Sequence, residues 1–137
     1  MRAPALALWH RERVTAEISQ AAFARFIAAL HHPRDAAVVN AAVTEDARLD
    51  RHVAGARGAI TAIAESFTGH VDVARWLART PPAIRFSLAG AAAPDGASWI
   101  IEYAIDADEF HNGGVWRARL AADGRIEFLS HHPFALA

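Results

Sequence analysis

Three segments near the end of the chain decide the fold. They are Ser98-Trp99-Ile100-Ile101-Glu102-Tyr103-Ala104-Ile105-Asp106, Gly114-Val115-Trp116-Arg117-Ala118-Arg119-Leu120-Ala121 and Arg125-Ile126-Glu127-Phe128-Leu129-Ser130-His131-His132. Each is rich in β-branched and aromatic residues, and turn residues separate them: Asp108 to Gly113, then Asp123-Gly124. A register test can be made on the sequence. With Glu102 opposite Arg117 and Arg119 opposite Glu127, one face collects Trp99, Ile101, Tyr103, Ile105, Trp116, Ala118, Leu120, Ile126, Phe128 and Ser130. The other face then pairs opposite charges. A slip of one residue would scatter both patterns, so the segments read as a three-stranded antiparallel meander with one apolar side. The ion pairs mark register more than stability, because exposed pairs contribute only about 0–1 kcal/mol each.

Upstream, the pattern changes to that of helices. Ile18, Ala22, Phe26 and Leu30 recur every four residues from about Ala16 to His31, with Thr15 as a candidate N-cap and Pro33 as the stop. His31 and His32 at its end are expected to face the terminal carbonyls. A short helix over 35–43, a strand over 47–53, a third helix over 59–67 and a fourth over 71–79 follow. A further strand over 84–91 precedes the meander, with a turn at Pro94-Asp95-Gly96. Helices first and strands after predict an α+β domain, with the helices covering the apolar sheet face. A strongly curved sheet wrapped over them leaves a cone-shaped space suited to a small molecule. One domain over 1–137 is expected, with 1–14 as an extended leading segment.

Composition narrows the function. The 137 residues are 53% hydrophobic and 21% charged, which excludes a disordered chain. Fourteen basic and fifteen acidic residues leave a net charge of −1, unlike a dedicated nucleic-acid binder. There is no cysteine and no lysine, which removes disulfides, thiolate ligands, cysteine nucleophiles and Schiff-base chemistry. No apolar run is long enough for a membrane span, and the one after Met1 is too short for a secretion signal, so cytoplasm is the expected compartment. No phosphate loop, zinc spacing or nucleophile elbow occurs, and neither a metal nor a cofactor is expected. Gly113-Gly114 reads as a turn.

From about Thr15 to Pro133 the order of elements resembles the nuclear transport factor 2-like superfamily, and within it the SnoaL-like branch of polyketide cyclases and ketosteroid isomerase relatives. The carriers are the opening amphipathic helix, Thr44-Glu45-Asp46-Ala47-Arg48-Leu49-Asp50-Arg51-His52, then Gly58-Ala59-Ile60 at the expected start of the third helix, and Asp123-Gly124-Arg125-Ile126. The resemblance implies a cone-shaped α+β barrel with N-terminal helices packed on the curved sheet. It also implies a homodimer through the outer sheet face. His52 takes the place of a histidine on the first strand of SnoaL-like cyclases, although Val53 and Ala54 replace the asparagine and proline that usually follow. The ketosteroid-isomerase set of acids and a helix tyrosine is absent, since Tyr103, the only tyrosine, falls on a strand.

His52 and Asp50 share a strand face and are the candidate catalytic pair, the histidine exchanging protons near neutrality and the carboxylate orienting it. Solvent-facing placement is the competing reading. Trp76, Trp99, Tyr103 and Trp116 are expected to line an aromatic pocket. By parity with Phe128 and Ser130, His132 is expected at its mouth and His131 outside. Two functions remain open. One is a cofactor-independent isomerase, cyclase or hydrolase for a small apolar ligand, cyclic ones included, in which replacing His52 by alanine abolishes turnover without unfolding. The other is a non-catalytic dimeric ligand-binding or scaffold module. A histidine or carboxylate pointing into the concavity would favour the first.

Overall fold

In a computed structural model of the chain, residues 5–136 are described, excepting the side chains of 5–14 and 110. The first helix, α1, is Ala5–His31, so Thr15 lies inside it rather than capping it. Of the expected extended segment over 1–14, residues 1–4 lie outside the described residues and the backbone from Ala5 is helical. Helix α2, Ala36–Ala42, is capped by Asp35, whose carboxylate accepts the Ala37 and Val38 N–H groups at 3.1 and 3.3 Å. Strand β1 is Val43–His52, which starts four residues before the expected strand and takes in Thr44-Glu45-Asp46. Then come β2, Ile63–Thr68, and α3, His70–Leu77. The remaining strands are β3 Arg85–Leu88, β4 Ala93–Asp95, β5 Ser98–Ala107, β6 Phe110–Leu120 and β7 Ile126–Pro133.

Two expected elements do not form. No helix forms over 59–67. Residues 53–62 make a loop and Ile63–Thr68 pairs antiparallel with β1, closing a hairpin. The apolar spacing of Ile60, Ile63 and Phe67 is helical, and pairing of Ile63–Thr68 with β1 overrides it. Gly113-Gly114 is not a turn either, because β6 begins at Phe110 and the turn is Asp108–Glu109, with Asp108 at φ 46°. Both glycines lie inside the strand for a packing reason. A Cβ on Gly113 would meet the Tyr103 carbonyl oxygen, and one on Gly114 would meet the Tyr103 hydroxyl and the His132 carbonyl oxygen.

The seven strands form one sheet in the order β2-β1-β7-β6-β5-β3, with β4 beside β5. All neighbours are antiparallel except β1 and β7, which run parallel. Three helices pack on this strongly curved sheet, giving the expected cone-shaped α+β architecture. The core lies between α1, α3 and the inner sheet face. Phe23, Phe26, Val73, Trp76, Leu49, Ile101, Tyr103, Trp116, Ala118 and Leu129 are all buried in it. His31 does not turn to its own helix end. Its Nε2 accepts the Phe86 N–H at 3.0 Å and so ties α1 to β3.

The meander keeps the expected faces on β5 and β6, but the partners shift by two residues: Arg117 stands opposite Ile100, not Glu102. On β7 the faces invert. A bulge leaves Leu120 opposite Ile126 but Arg119 opposite Phe128, so Glu127 is the extra residue. Ile126 points inward as expected. Beyond the bulge Leu129 and His131 point inward, while Phe128, Ser130 and His132 point outward. The Arg119–Glu127 ion pair forms nevertheless, at 2.8 Å, because the bulge brings Glu127 beside Arg119.

Candidate functional site

Both sheet faces carry histidine, and they do so differently. On the inner face Trp116, Tyr103 and His131 come from three adjacent strands and are buried together. The Tyr103 and Trp116 rings stack with centroids 4.3 Å apart, and Trp76 of α3 meets the His131 ring edge-on at 5.2 Å. The Trp116 indole N–H donates to His131 Nδ1 at 2.8 Å. An indole can only donate, so the neutral imidazole carries its hydrogen on Nε2. That hydrogen faces the Tyr103 oxygen, 3.3 Å away. The tyrosine's own hydrogen is then free to donate elsewhere, and among the described residues its hydroxyl has no second partner.

Burial dominates the protonation here. His131 is pushed down to about 3, first by desolvation and then by the charge of Arg51 and the neighbouring His132 and His52. Burial pushes the Tyr103 phenol upward. Both groups are therefore neutral near pH 7, a donor and its orienting imidazole in an apolar surround. Beside them stands an ionic cluster. Arg51 is the Cα partner of His131 and bonds Glu65 at 2.8 Å, while Arg79 reaches the same carboxylate at 2.9 Å. The two guanidinium groups hold the Glu65 carboxyl below the usual range.

The outer face holds His52 and His132, stacked at 4.1 Å between centroids. They border a cleft of about 390 Å³ together with Arg117, Ser130, Ile60 and Phe134, under the 53–61 loop. His52 Nδ1 donates to the Thr61 carbonyl at 2.9 Å, and Asp50 does not orient it. The Asp50 carboxylate is buried and engaged otherwise, accepting from Arg48 at 2.9 Å and from Ser66 at 2.7 Å.

The predicted site residues thus divide. Tyr103, Trp116 and Trp76 come together inside. Trp99 faces inward too, but at the far end of the sheet, near Ile18 of α1. His132, expected at the pocket mouth, stands outside, and His131 takes the inner place because the β7 bulge inverts the alternation. The concavity beneath Tyr103 and Trp116 is occupied by stacked rings, and the open cleft bordered by His52 and His132 is on the opposite face. Sequence reading missed Glu65 and Arg79, which only the β1–β2 hairpin and α3 bring to Arg51. Among the described residues no cluster of acids and histidines could hold a metal ion, and no helix is long and apolar enough to cross a membrane.

No family model matches the chain, and no curated protein matches it. Solved structures do. The chain superimposes on a "putative isomerase of the SnoaL-like family" from Agrobacterium tumefaciens with a TM-score of 0.67 at 17% identity, covering 87% of this chain and 99% of that one. A "putative ketosteroid isomerase" from Kribbella flavida gives 0.66 at 17% identity, with 89% and 82% covered. A nuclear transport factor 2-like protein of unknown function from Exiguobacterium gives 0.61 at 16% identity, with 84% and 99% covered. Likeness at this level of identity carries fold and not activity. The chain has the nuclear transport factor 2-like fold that these SnoaL-like and ketosteroid-isomerase-like structures share.

Proposed function

We propose that the protein binds a small, mostly apolar ligand and acts on it without a cofactor, as an isomerase, cyclase or hydrolase. The polar centre is the Tyr103–His131 pair. The observation that carries the reading is the hydrogen bond from Trp116 to His131 Nδ1. It selects the tautomer that leaves the Tyr103 hydrogen available to a carbonyl or hydroxyl oxygen of the ligand. A neutral donor in a dry, aromatic surround polarises a carbonyl more strongly than one in water. Tyr103 is then the hydrogen-bond donor to the ligand oxygen and His131 its orienting partner, and a ligand reaches them by parting the packed rings of Trp76, Trp116 and Phe86. A cyclic ketone fits this chemistry. Cyclohexanone binding, read from intrinsic tryptophan fluorescence, and conversion of 3-cyclohexenone to its conjugated isomer, read by absorbance, test it. Tyr103→Phe should weaken cyclohexanone binding about tenfold and remove turnover while the circular dichroism stays unchanged. Equal binding and turnover in that variant would end the assignment. His52→Ala separates the faces: loss of turnover there would return the catalytic role to the outer histidine.

A second reading, a non-catalytic dimeric ligand-binding or scaffold module, draws support from the outer loop. Ile60 is fully exposed there, with Val53 and Ile63 half exposed nearby, a small apolar patch that a partner would cover. The outer charges offer a partner little, since Glu102 pairs with Arg57, Arg117 with Asp95 and Arg119 with Glu127 inside the chain. Sedimentation of the native chain beside Ile60→Asp tests a homodimer formed through the outer face at this loop. A dimer that persists unchanged in the variant would remove the loop from the interface.

A further inference from the structure

The cleft on the outer face plays no part in the inner Tyr103–His131 centre, yet it is a built site. Its loop is pinned at both ends. The Gly55 N–H donates to the Pro133 carbonyl at 3.1 Å and the Gly55 carbonyl accepts from Ala135 at 2.8 Å, while the Thr61 hydroxyl donates to the Val53 carbonyl at 2.6 Å. Three polar groups converge inside it with capacity to spare. The His132 ring nitrogens and the Ser130 hydroxyl have no hydrogen-bond partner among the described residues, and Arg117 turns one guanidinium nitrogen to Asp95 at 2.7 Å. Facing them are the apolar side chains of Val115 and Phe134, with Ile60 at the exposed rim. Unpaired donors opposite an oily wall fit a molecule with one polar head and one apolar body.

We propose that this cleft binds a small monocarboxylate, its head held by His132, Ser130 and Arg117 and its body against Ile60, Val115 and Phe134. A single charge is what the surroundings accommodate. Arg117 shares its charge with Asp95, Arg57 is tied to Glu102, and Asp50 lies on the same face bonded to Arg48 and Ser66. A dianion would enter without enough compensating charge. His132 is held down to about 4 by burial, by His52 and by Arg117, so it is neutral in the empty cleft at pH 7. An arriving carboxylate beside the ring offsets the charges of His52 and Arg117, which raises the histidine's affinity for a proton. Carboxylate binding and proton uptake by His132 are therefore coupled, and affinity rises as pH falls.

Sodium benzoate is the probe, followed by NMR of the histidine ring protons in the full chain. Saturable shifts are expected at His52 and His132 with His131 unmoved, with tighter binding at about pH 6 than at about pH 8. Arg117→Gln and His132→Gln should each weaken binding about tenfold, and neutral benzamide should bind at least about tenfold more weakly than benzoate. Tyr103→Phe should leave benzoate binding unchanged, which keeps this outcome separate from that of the inner centre. The proposal is overturned if benzoate produces no saturable shift. It is equally overturned if His131 alone responds, if both cleft variants bind normally, if benzamide matches benzoate, or if inorganic phosphate binds more tightly.

Discussion

His131 and His132 are consecutive residues of β7, and the sheet separates their chemistry. His131 lies under Trp116 and Tyr103 with both ring nitrogens engaged, while His132 stacks on His52 beside an open cleft with its nitrogens unpartnered. Both are shifted downward, to about 3 and about 4, and burial is the first cause in each. What differs is what surrounds them. The inner ring is held by a directed indole bond within a packed aromatic cluster. The outer ring is held by stacking alone and is open to a ligand. Strand parity, more than residue type, decides here whether a histidine lies in the packed interior or beside the open cleft.

Four experiments would break or sharpen that contrast. The largest effect belongs to Trp116→Ala, which empties a fully buried indole site and leaves His131 Nδ1 without its donor. A loss of about 3–5 kcal/mol in urea unfolding is expected. A loss under about 1 kcal/mol would show that the inner cluster is not the packed centre of the fold. Gly114→Ala comes next, because the new methyl would overlap the Tyr103 hydroxyl and a β7 carbonyl. About 1–3 kcal/mol should be lost, and Tyr103→Phe in the same chain should recover part of it. No recovery would separate that glycine from the hydroxyl.

The third is a pH profile. His131 binds protons more weakly when folded than when unfolded, so between its folded value of about 3 and its ordinary 6.5 the unfolded state holds more protons. Stability therefore falls as pH drops through that window, by up to about 1.4 kcal/mol per pH unit for one such group. His132 acts in the same direction from about 4, with a smaller contribution because it is more accessible. His131→Gln should flatten the slope more than His132→Gln. The reverse order would exchange the two environments. The smallest effect is expected outside, where Arg119→Gln breaks the exposed Glu127 pair for no more than about 1 kcal/mol. A larger loss would mean that this pair holds the bulge.

Much of the architecture was legible before any coordinates. The alternation of Trp99, Ile101 and Tyr103 and of Trp116, Ala118 and Leu120 specifies an inner face on β5 and β6, and the four-residue recurrence of Ala22, Phe26 and Leu30 specifies the covering stripe of α1. Ile18, at the end of the expected stripe, is partly exposed, bordering an open hollow with Trp99 and Leu120. The segment over 59–67 was misread as helix because Ile60, Ile63 and Phe67 recur at helical spacing, and the pairing of Ile63–Thr68 with β1 overrides that pattern. The candidate site was legible in part. Tyr103, Trp116 and Trp76 were named and do meet, whereas His131 was assigned to the wrong face by one uncounted residue.

The amino-acid sequence on its own determined the class of fold, the apolar inner face of two central strands and the helix that covers them, because those depend on local periodicity, which is written residue by residue. Tertiary structure alone decided which histidine sits with Tyr103, that Glu65 and Arg79 converge on Arg51, and that His52 and His132 share a cleft on the far side. The physical reason is that a bulge, a parallel pairing and a hairpin edge are set by the fit of strands distant in the chain, and a single extra residue reverses every side chain beyond it.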